Sequence, residues 1–249
     1  MSLNPCADAM LVELVPPDRI TAISRYSKDP AATSIPADVA ARFPGTTGTA
    51  EEVITLRPAL VIATSYTAPA TREAFARAGL KVLYLDSPST LAASKAQVRE
   101  LAAALNAKAQ GEAMVARIDA AVRDAASTAP PVTALLWIGG NLATGDETLL
   151  DEMMKAAGFS NHAAHYGLTY TGYLPIEHVV ADPPRVMIAP EAPGRDAGAR
   201  ATQLRRWAIR RSGAKVTQAN FPRQLVNCGG PVIASAMTRL AQIRRGIAQ

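Results

Sequence analysis

The three histidines of the chain, His162, His165 and His178, all lie in its second half. His162 and His165 are three residues apart, and this spacing can place two imidazoles on one face of a helix, where they could hold a transition-metal ion. A bare ion bound between two halves of a chain would take ligands from both halves, and the first half has no histidine. We therefore predict no metal site, and we keep a zinc or manganese binder as an alternative.

Residue patterns typical of catalysis are sparse. The chain has no GxSxG, GxxxxGK[ST] or GxGxxG motif, so neither a hydrolase elbow nor a phosphate-binding loop is indicated. Paired acids at 51–52 and 151–152 stand where helices are predicted to begin, and interaction with the helix dipole explains them. We predict that the chain is not an enzyme. The alternative is a two-lobed α/β glycosyl or phosphoryl transferase.

Tyrosine is concentrated in one segment, "HYGLTYTGYLP", although aromatic residues make up only 5% of the chain. A tyrosine side chain combines a broad apolar area with a hydroxyl group, which suits contact with a large, flat or chelated ligand. Other aromatic and polar residues occur in or beside loops that follow predicted strands. The residues predicted to contact a ligand are Tyr26, Tyr66, Trp137, Asn141, Tyr166, Tyr170, Tyr173 and Arg223.

An internal repeat indicates the elements that position these residues. "EEVITLRPALVIA" at 51–63 and "EHVVADPPRVMIA" at 177–189 share one pattern at an offset of 126 residues. Each copy continues into a second helix, which ends at Gly79 or Gly213, and then into another apolar strand. Each half therefore reads as helix, strand, helix, strand. Strands connected through helices run parallel with right-handed crossovers, and their continuous apolar runs suit burial on both faces.

Residues 90–127 are rich in alanine with apolar residues at helical spacing, which predicts one long connecting helix. The predicted fold is thus α/β, with two similar lobes that contain parallel sheets, residues 1–89 and 130–249, joined by one long helix within 90–129. Ligands of open α/β sheets bind beyond the carboxyl ends of the strands. We therefore expect a binding cleft between the lobes.

The excess positive charge, +5 in total, lies mainly in the second half, where "GRDAGARATQLRRWAIRR" contributes six arginines. These arginines form either a solvated helix face or a surface that attracts an anionic ligand. No nucleic-acid motif accompanies them, so we predict no nucleic-acid partner. Cys6 and Cys228 are too few for a disulfide framework. We predict two reduced thiols, with a disulfide in an oxidising compartment as the alternative.

Segments of both halves resemble one known family across nearly the whole chain. The matching segments of the first half are "SLNPCADAMLVEL", "AEEVITLRPALVIA" and "AGLKVLYLD". Those of the second half are "LWIGGNLATGDETLLDEMMKAAGFSN", "YLPIEHVVADPPRVMIAP" and "CGGPVIASAMTRLA". Through these segments the chain is similar to the periplasmic substrate-binding proteins of the vitamin B12 and ferric-siderophore ABC importers.

The resemblance implies a monomer without a cofactor that captures a metal chelate in the cleft and delivers it to an inner-membrane ABC permease. The chelate would be a ferric siderophore, a haem-like chelate or cobalamin. Glu51 and Glu177 match the acids through which each lobe of the family docks on the permease, and Tyr26 matches a corrinoid-contacting aromatic position. The resemblance also implies a periplasmic location. Because "MSLNPCADAM" lacks the pattern of a signal peptide, we expect a mature or trimmed form.

Overall fold

The computed structural model of the protein describes residues 1–30, 32–190 and 197–247. The chain divides into two compact units. The first unit consists of Met1–Pro88, Ala92–Ile118 and Asn227–Val232. The second consists of Ser89–Leu91, Asp119–Val226 and Ile233–Gln249. The segment predicted as a separate connector is therefore shared between the units.

Short strands alternate with helices in the first unit. Its elements in chain order are α1 (Pro5–Leu14), β1 (Ile23–Ser24), α2 (Ala37–Ala41), β2 (Gly45–Thr46), α3 (Ala50–Leu56), β3 (Val61–Thr64), α4 (Pro69–Arg77), β4 (Val82–Leu85), α5 (Leu91–Ala104) and α6 (Lys108–Ala125), of which α6 continues into the second unit. Short 3-10 helices cover Pro17–Arg19 and Arg25–Lys28. The side chain of Asn4 caps α1 by accepting from the amides of the next turn, and Pro5 occupies the first helical position.

The strands of the first unit pair in parallel, as predicted. β1 pairs with β2, and β3 pairs with β4 from Val61 opposite Val82 to Thr64 opposite Leu85. Ser2 forms a parallel bridge with Ile62 beside β3. Val53, Val61 and Phe75 are fully buried in one cluster, so the apolar residues of α3, β3 and α4 hold this part of the repeat together.

The prediction of one long helix is wrong, because residues 91–125 form two helices. Asn106 has a φ of 54°, and this left-handed conformation ends α5. α6 then packs back against α5, and Arg99 and Glu112 form an ion pair with 2.8 Å between Nε and Oε1. A β-carbon at Gly111 would lie only 2.5 Å from the β-carbon of Ala102. α5 and α6 thus form a helical hairpin, with Asn106 at its turn and Gly111 at a close contact between the two helices.

The second unit is built around a larger sheet. Its elements are β5 (Val132–Gly139), β6 (Leu142–Ala143), α7 (Leu149–Ala156), β7 (Phe159–Asn161), a 3-10 helix (His162–Tyr166), β8 (Gly172–Tyr173), α8 (Ile176–Ala181), β9 (Val186–Ala189), α9 (Ala197–Ser212), β10 (Thr217–Asn220), a 3-10 helix (Arg223–Leu225) and α10 (Val232–Arg245).

The sheet of the second unit is mainly parallel. β10, β9, β5 and β7 pair in parallel in that order. The end of β5 continues beyond them and pairs antiparallel with β6, which in turn pairs antiparallel with β8. The sequence did not predict this antiparallel extension. It matters because it places the turn after β5 beside β8.

The internal repeat is confirmed in the structure. β3, α4 and β4 of the first unit correspond to β9, α9 and β10 of the second, and each strand pair is parallel. Gly79 and Gly213 follow the two helices with φ values of 68° and 69°, the left-handed conformation expected of a helix stop. Val53 and Val179, at equivalent positions of the shorter repeat helices, are both fully buried.

Cys6 and Cys228 form a disulfide with their Cα atoms 5.1 Å apart, so the prediction of two reduced thiols is wrong. That prediction assigned Cys228 to the second lobe, where a bond to Cys6 would have restrained both lobes. In the structure the segment Asn227–Val232 belongs to the first unit, and the bond is internal to that unit. Among the described residues, no helix combines the length and the apolar character needed to cross a membrane.

Candidate functional site

Tyr66 projects from the loop that follows the carboxyl end of β3. Its side chain is 79% exposed, the highest value among the large hydrophobic residues. The guanidinium of Arg72 holds this loop by donating hydrogen bonds to the carbonyl groups of Ser65 and Thr67, the residues on either side. The same guanidinium stacks 4.3 Å from the centre of the Tyr84 ring. The loop backbone is therefore fixed while the tyrosine ring and hydroxyl stay accessible.

Tyr26 lies in the first unit on the 3-10 helix that follows β1. Its ring is half exposed, and its amide donates a hydrogen bond to the side chain of Ser24. Arg25 donates a hydrogen bond to the phenol oxygen of Tyr26 over 3.2 Å, and its guanidinium lies 5.0 Å from the ring centre. Tyr26 thus offers an aromatic face and an oxygen with a positive charge beside it.

Asn141, Tyr173 and Arg223 are grouped at the end of β5 in the second unit. Asn141 donates a side-chain hydrogen bond to the hydroxyl of Tyr173 over 3.4 Å, and Tyr173 is 64% exposed on β8. A β-carbon at Gly139 would lie 3.1 Å from Nη1 of Arg223, so the absence of a side chain there lets the guanidinium approach the backbone. This group combines an exposed ring, an amide and a positive charge.

Tyr170 precedes this group on the same loop and is also exposed. A hydrogen bond to the carboxylate of Glu147, together with the charge of that carboxylate, raises the pKa of Tyr170. The amide of Glu147 is bound in turn to the carbonyl of Thr169 over 2.8 Å. Tyr170 therefore presents its ring to solvent while its hydroxyl is oriented by Glu147.

Trp137 does not fit its predicted role as a ligand contact, because its side chain is completely buried. Its indole Nε1 donates to the carbonyl of Gly140 over 2.7 Å, and the buried guanidinium of Arg205 donates to the same carbonyl over 3.2 Å. Trp137 thus supports the turn after β5 from within the core. Arg205 is likewise part of the core and not of a solvated helix face. Arg195 lies outside the described residues.

Tyr166 was also predicted to contact the ligand, whereas in the structure its side chain makes contacts within the protein. Its hydroxyl donates to the carbonyl of Asp182 over 2.5 Å, and burial raises the pKa of Tyr166. Its ring meets the ring of His162 edge-on, with 5.1 Å between centres. The hydroxyl and the ring are therefore both engaged within the unit.

Glu51 and Glu177 occupy equivalent positions in the two units. Each is exposed at the second residue of a short helix, Glu51 on α3 and Glu177 on α8. The neighbouring Glu52 has a structural role, because its carboxylate accepts hydrogen bonds from the amide and hydroxyl of Thr47, which lower the pKa of Glu52. No comparable bond of Glu51 or Glu177 is found within the part of the chain that the structure describes.

His162 and His165 lie on one face of a 3-10 helix, and Asp182, at the end of α8, joins them. The sequence spacing indicated the two histidines, whereas Asp182 was missed because it is 20 residues from His162 along the chain. Arg25 and Arg72 were missed as well. For Arg25 the available signal was its position next to Tyr26 in the sequence, whereas Arg72, six residues after Tyr66, gave none.

Comparison with known proteins places these residues in a family. Residues 1–204 match the sequence profile described as "Periplasmic binding protein". No curated protein sequence matches the chain. The fold is similar to that of the periplasmic heme-binding protein RhuT of Roseiflexus sp. RS-1, with 23% identity over 98% of this chain and 96% of that chain and a TM-score of 0.75.

Two further solved structures have the same fold. A periplasmic heme binding protein of Pseudomonas aeruginosa has 22% identity over 100% of this chain and 92% of that chain, with a TM-score of 0.74. The periplasmic vitamin B12 binding protein BtuF of Vibrio cholerae has 18% identity over 99% of this chain and 97% of that chain, with a TM-score of 0.72. These similarities confirm the predicted two-lobed α/β fold. The chain therefore belongs to the periplasmic binding protein family.

Proposed function

We propose that the chain is the substrate-binding protein of an ABC importer, that it acts in the periplasm, and that its cargo is haem. The observation that carries the proposal is Tyr66, an exposed tyrosine on a loop that Arg72 holds in place. Tyrosine is one of the residues through which proteins bind haem iron. Two of the similar structures described above are heme-binding proteins by name, which supports haem over the other chelates.

The remaining exposed residues suit the rest of such a cargo. Haem presents a broad apolar ring and two carboxylates. The rings of Tyr26, Tyr170 and Tyr173 offer apolar area with hydroxyls at the edge. Arg223, whose guanidinium lies against Gly139, can pair with a carboxylate through two parallel hydrogen bonds. We assign the tyrosines to the ring of the cargo and Arg223 to its carboxylates.

Delivery to the permease depends in this proposal on Glu51 and Glu177. The two acids are exposed and occupy equivalent positions, so the chain presents the same charged group twice to a partner with two similar halves. Charged groups at the rim of an interface steer association and fix orientation more than they contribute raw affinity. A delivery protein releases its cargo without chemical change, so we expect binding without turnover. We also propose that the chain acts as a monomer.

A corrinoid is the second candidate cargo. The fold is also similar to that of a vitamin B12 binding protein, and Tyr26 stands at the position that the sequence resemblance assigned to corrinoid contact. A corrinoid cobalt does not need a tyrosine hydroxyl as ligand, whereas haem iron bound through Tyr66 does. Removing that hydroxyl therefore distinguishes the two cargoes.

The experiment is a titration of the chain with haemin, followed by the change in the haem absorption band, for wild type, Tyr66→Phe and Tyr84→Phe. Tyr84→Phe is the matched control, because it removes the hydroxyl of a partly buried tyrosine of the same unit. We expect saturable binding of one haem. We also expect an altered spectrum and at least about tenfold weaker binding for Tyr66→Phe alone, because loss of even an outer-shell partner of a metal ligand typically costs about tenfold or more. Absence of haemin binding would refute the proposal, and a wild-type spectrum for Tyr66→Phe would refute the assignment of Tyr66.

A further inference from the structure

The second unit holds a cluster of three potential metal ligands that the proposed function does not use. It consists of His162, His165 and Asp182, and one ligand atom of each lies within 4.8 Å of the other two. Oδ2 of Asp182 is 3.1 Å from Nε2 of His162 and 3.2 Å from Nδ1 of His165. All three residues belong to one unit, so the cluster is formed entirely within it.

Local structure explains why the two histidines meet. A 3-10 helix has three residues per turn, so side chains three positions apart lie directly above one another. His162 and His165 belong to the 3-10 helix His162–Tyr166, and their ring centres are 4.2 Å apart. Asn161 caps this helix by accepting from the amide of Ala163 over 3.1 Å. The cap by Asn161 and the burial of the His162 side chain therefore hold His162, the first potential metal ligand, in place.

Asp182 is fixed by its backbone, which leaves its carboxylate available. Its amide donates to the carbonyl of His178 over 2.9 Å at the end of α8, and its own carbonyl accepts from the hydroxyl of Tyr166. Nε2 of His162 also lies 3.1 Å from that carbonyl. If Nε2 bound a metal ion, the Tyr166 hydroxyl would still satisfy the Asp182 carbonyl, so metal binding would leave no backbone group unpaired.

We propose that His162, His165 and Asp182 bind a divalent transition-metal ion of the zinc class. Zinc binds imidazole nitrogen and carboxylate oxygen at about 2.0 Å in a tetrahedron, whose ligand atoms are therefore about 3.3 Å apart. The two distances to the Asp182 carboxylate already approach that value. The two histidine nitrogens would have to approach by at most about 1.5 Å, and the exposed ring of His165 is the part free to move.

The donor set selects the class of ion. Two imidazoles with one carboxylate suit zinc and its neighbours, whereas calcium and magnesium prefer oxygen ligands alone. His165 and Asp182 are 58% and 54% exposed, which leaves a fourth position for water.

The bound ion would join the 3-10 helix His162–Tyr166 to the end of α8, the helix that carries Glu177. The ligands of this site are not among the proposed haem contacts, and the bound ion restrains α8, one of the two proposed docking helices. This inference does not depend on the identity of the cargo, because His162, His165 and Asp182 are not among the residues assigned to the cargo.

The test is titration calorimetry of the untagged chain with zinc chloride, with cobalt(II) as a spectroscopic probe of a tetrahedral site. The variants are His165→Ala and Asp182→Ala, and the matched control is His178→Ala, which removes the remaining exposed histidine. We expect one zinc ion per chain, with affinity at least about tenfold weaker in both variants and unchanged in the control. Absence of zinc binding by the wild type, or equal affinity in wild type and both variants, would overturn the proposal. Failure of haemin binding would not affect it.

Discussion

Removal of the disulfide between Cys6 and Cys228 should lower the free energy of unfolding substantially. The two cysteines are 222 residues apart in the sequence, so the bond closes a loop that spans most of the chain. In the chain-entropy model, a loop of that length restricts the unfolded state by about 5 kcal/mol at 25 °C. Residual structure in the unfolded state reduces the effect, so this value is an upper bound.

The native state would lose local contacts as well. The bond holds the segment Asn227–Val232 in the first unit, where the amide of Gly230 donates to the hydroxyl of Ser94 over 2.8 Å. A β-carbon at Gly230 would lie 2.8 Å from Cγ of Met10, so this segment packs closely against α1. Without the disulfide, only the noncovalent contacts of the segment Asn227–Val232 keep that segment in place.

The assay is urea denaturation of wild type and of the double variant Cys6→Ser/Cys228→Ser, each with and without a reducing agent. We expect reduction to move the wild-type midpoint to that of the double variant and to leave the variant unchanged. Thiol titration of the unfolded, unreduced wild type should find no reactive thiol. Two reactive thiols per chain, or a wild-type midpoint that reduction does not change, would refute the reasoning.

Four further variants test other features of the protein. Burial raises the pKa of Asp8 from 3.8 to about 7, so the folded state holds a proton that the unfolded state releases. The free energy of unfolding should therefore fall by roughly 4 kcal/mol between about pH 4 and pH 8, and Asp8→Asn should remove this dependence; equal slopes would refute it. Gly145→Ala should cost about 3 kcal/mol or more, since its β-carbon would lie 2.4 Å from backbone atoms. Gly167→Ala should cost only about 1 to 2 kcal/mol for its left-handed φ of 71°, and the reverse order in chemical denaturation would contradict this. The double variant Glu51→Ala/Glu177→Ala should bind cargo like wild type but lose most uptake in vesicles that contain the permease, and wild-type uptake would exclude docking through these acids.

The repeat was predictable because its signals are local. Apolar runs marked β3 and β9, and glycine marked the ends of α4 and α9 at Gly79 and Gly213. Buried parallel strands need continuous apolar residues, and a left-handed helix end favours glycine, so each signal reflects one conformational requirement. Exposed tyrosines in strand-end loops could be predicted for the same reason, since the loops follow from the strands.

The errors concern contacts between residues distant in sequence. The alanine-rich composition favoured one helix, whereas Gly111 is required by its close contact with Ala102 on α5. Trp137 lies at the end of a predicted strand but is buried, because the turn after β5 folds over it and accepts its indole N–H. Spacing also did not show that Cys6 and Cys228 come close enough to bond, or that Asp182 joins the two histidines. Each of these facts depends on which elements pack together.

The most direct test of the central claim is a competition for cargo. The purified wild-type chain would be dialysed to equilibrium against an equimolar mixture of haemin, cobalamin, a ferric siderophore and free ferric ion, and the bound fraction would be quantified by absorption and metal analysis. We predict that one haem per chain is retained and that the other components are not enriched. Retention of cobalamin or the siderophore in place of haem would contradict the assigned cargo, and retention of free iron alone or of nothing would contradict a role in chelate transport.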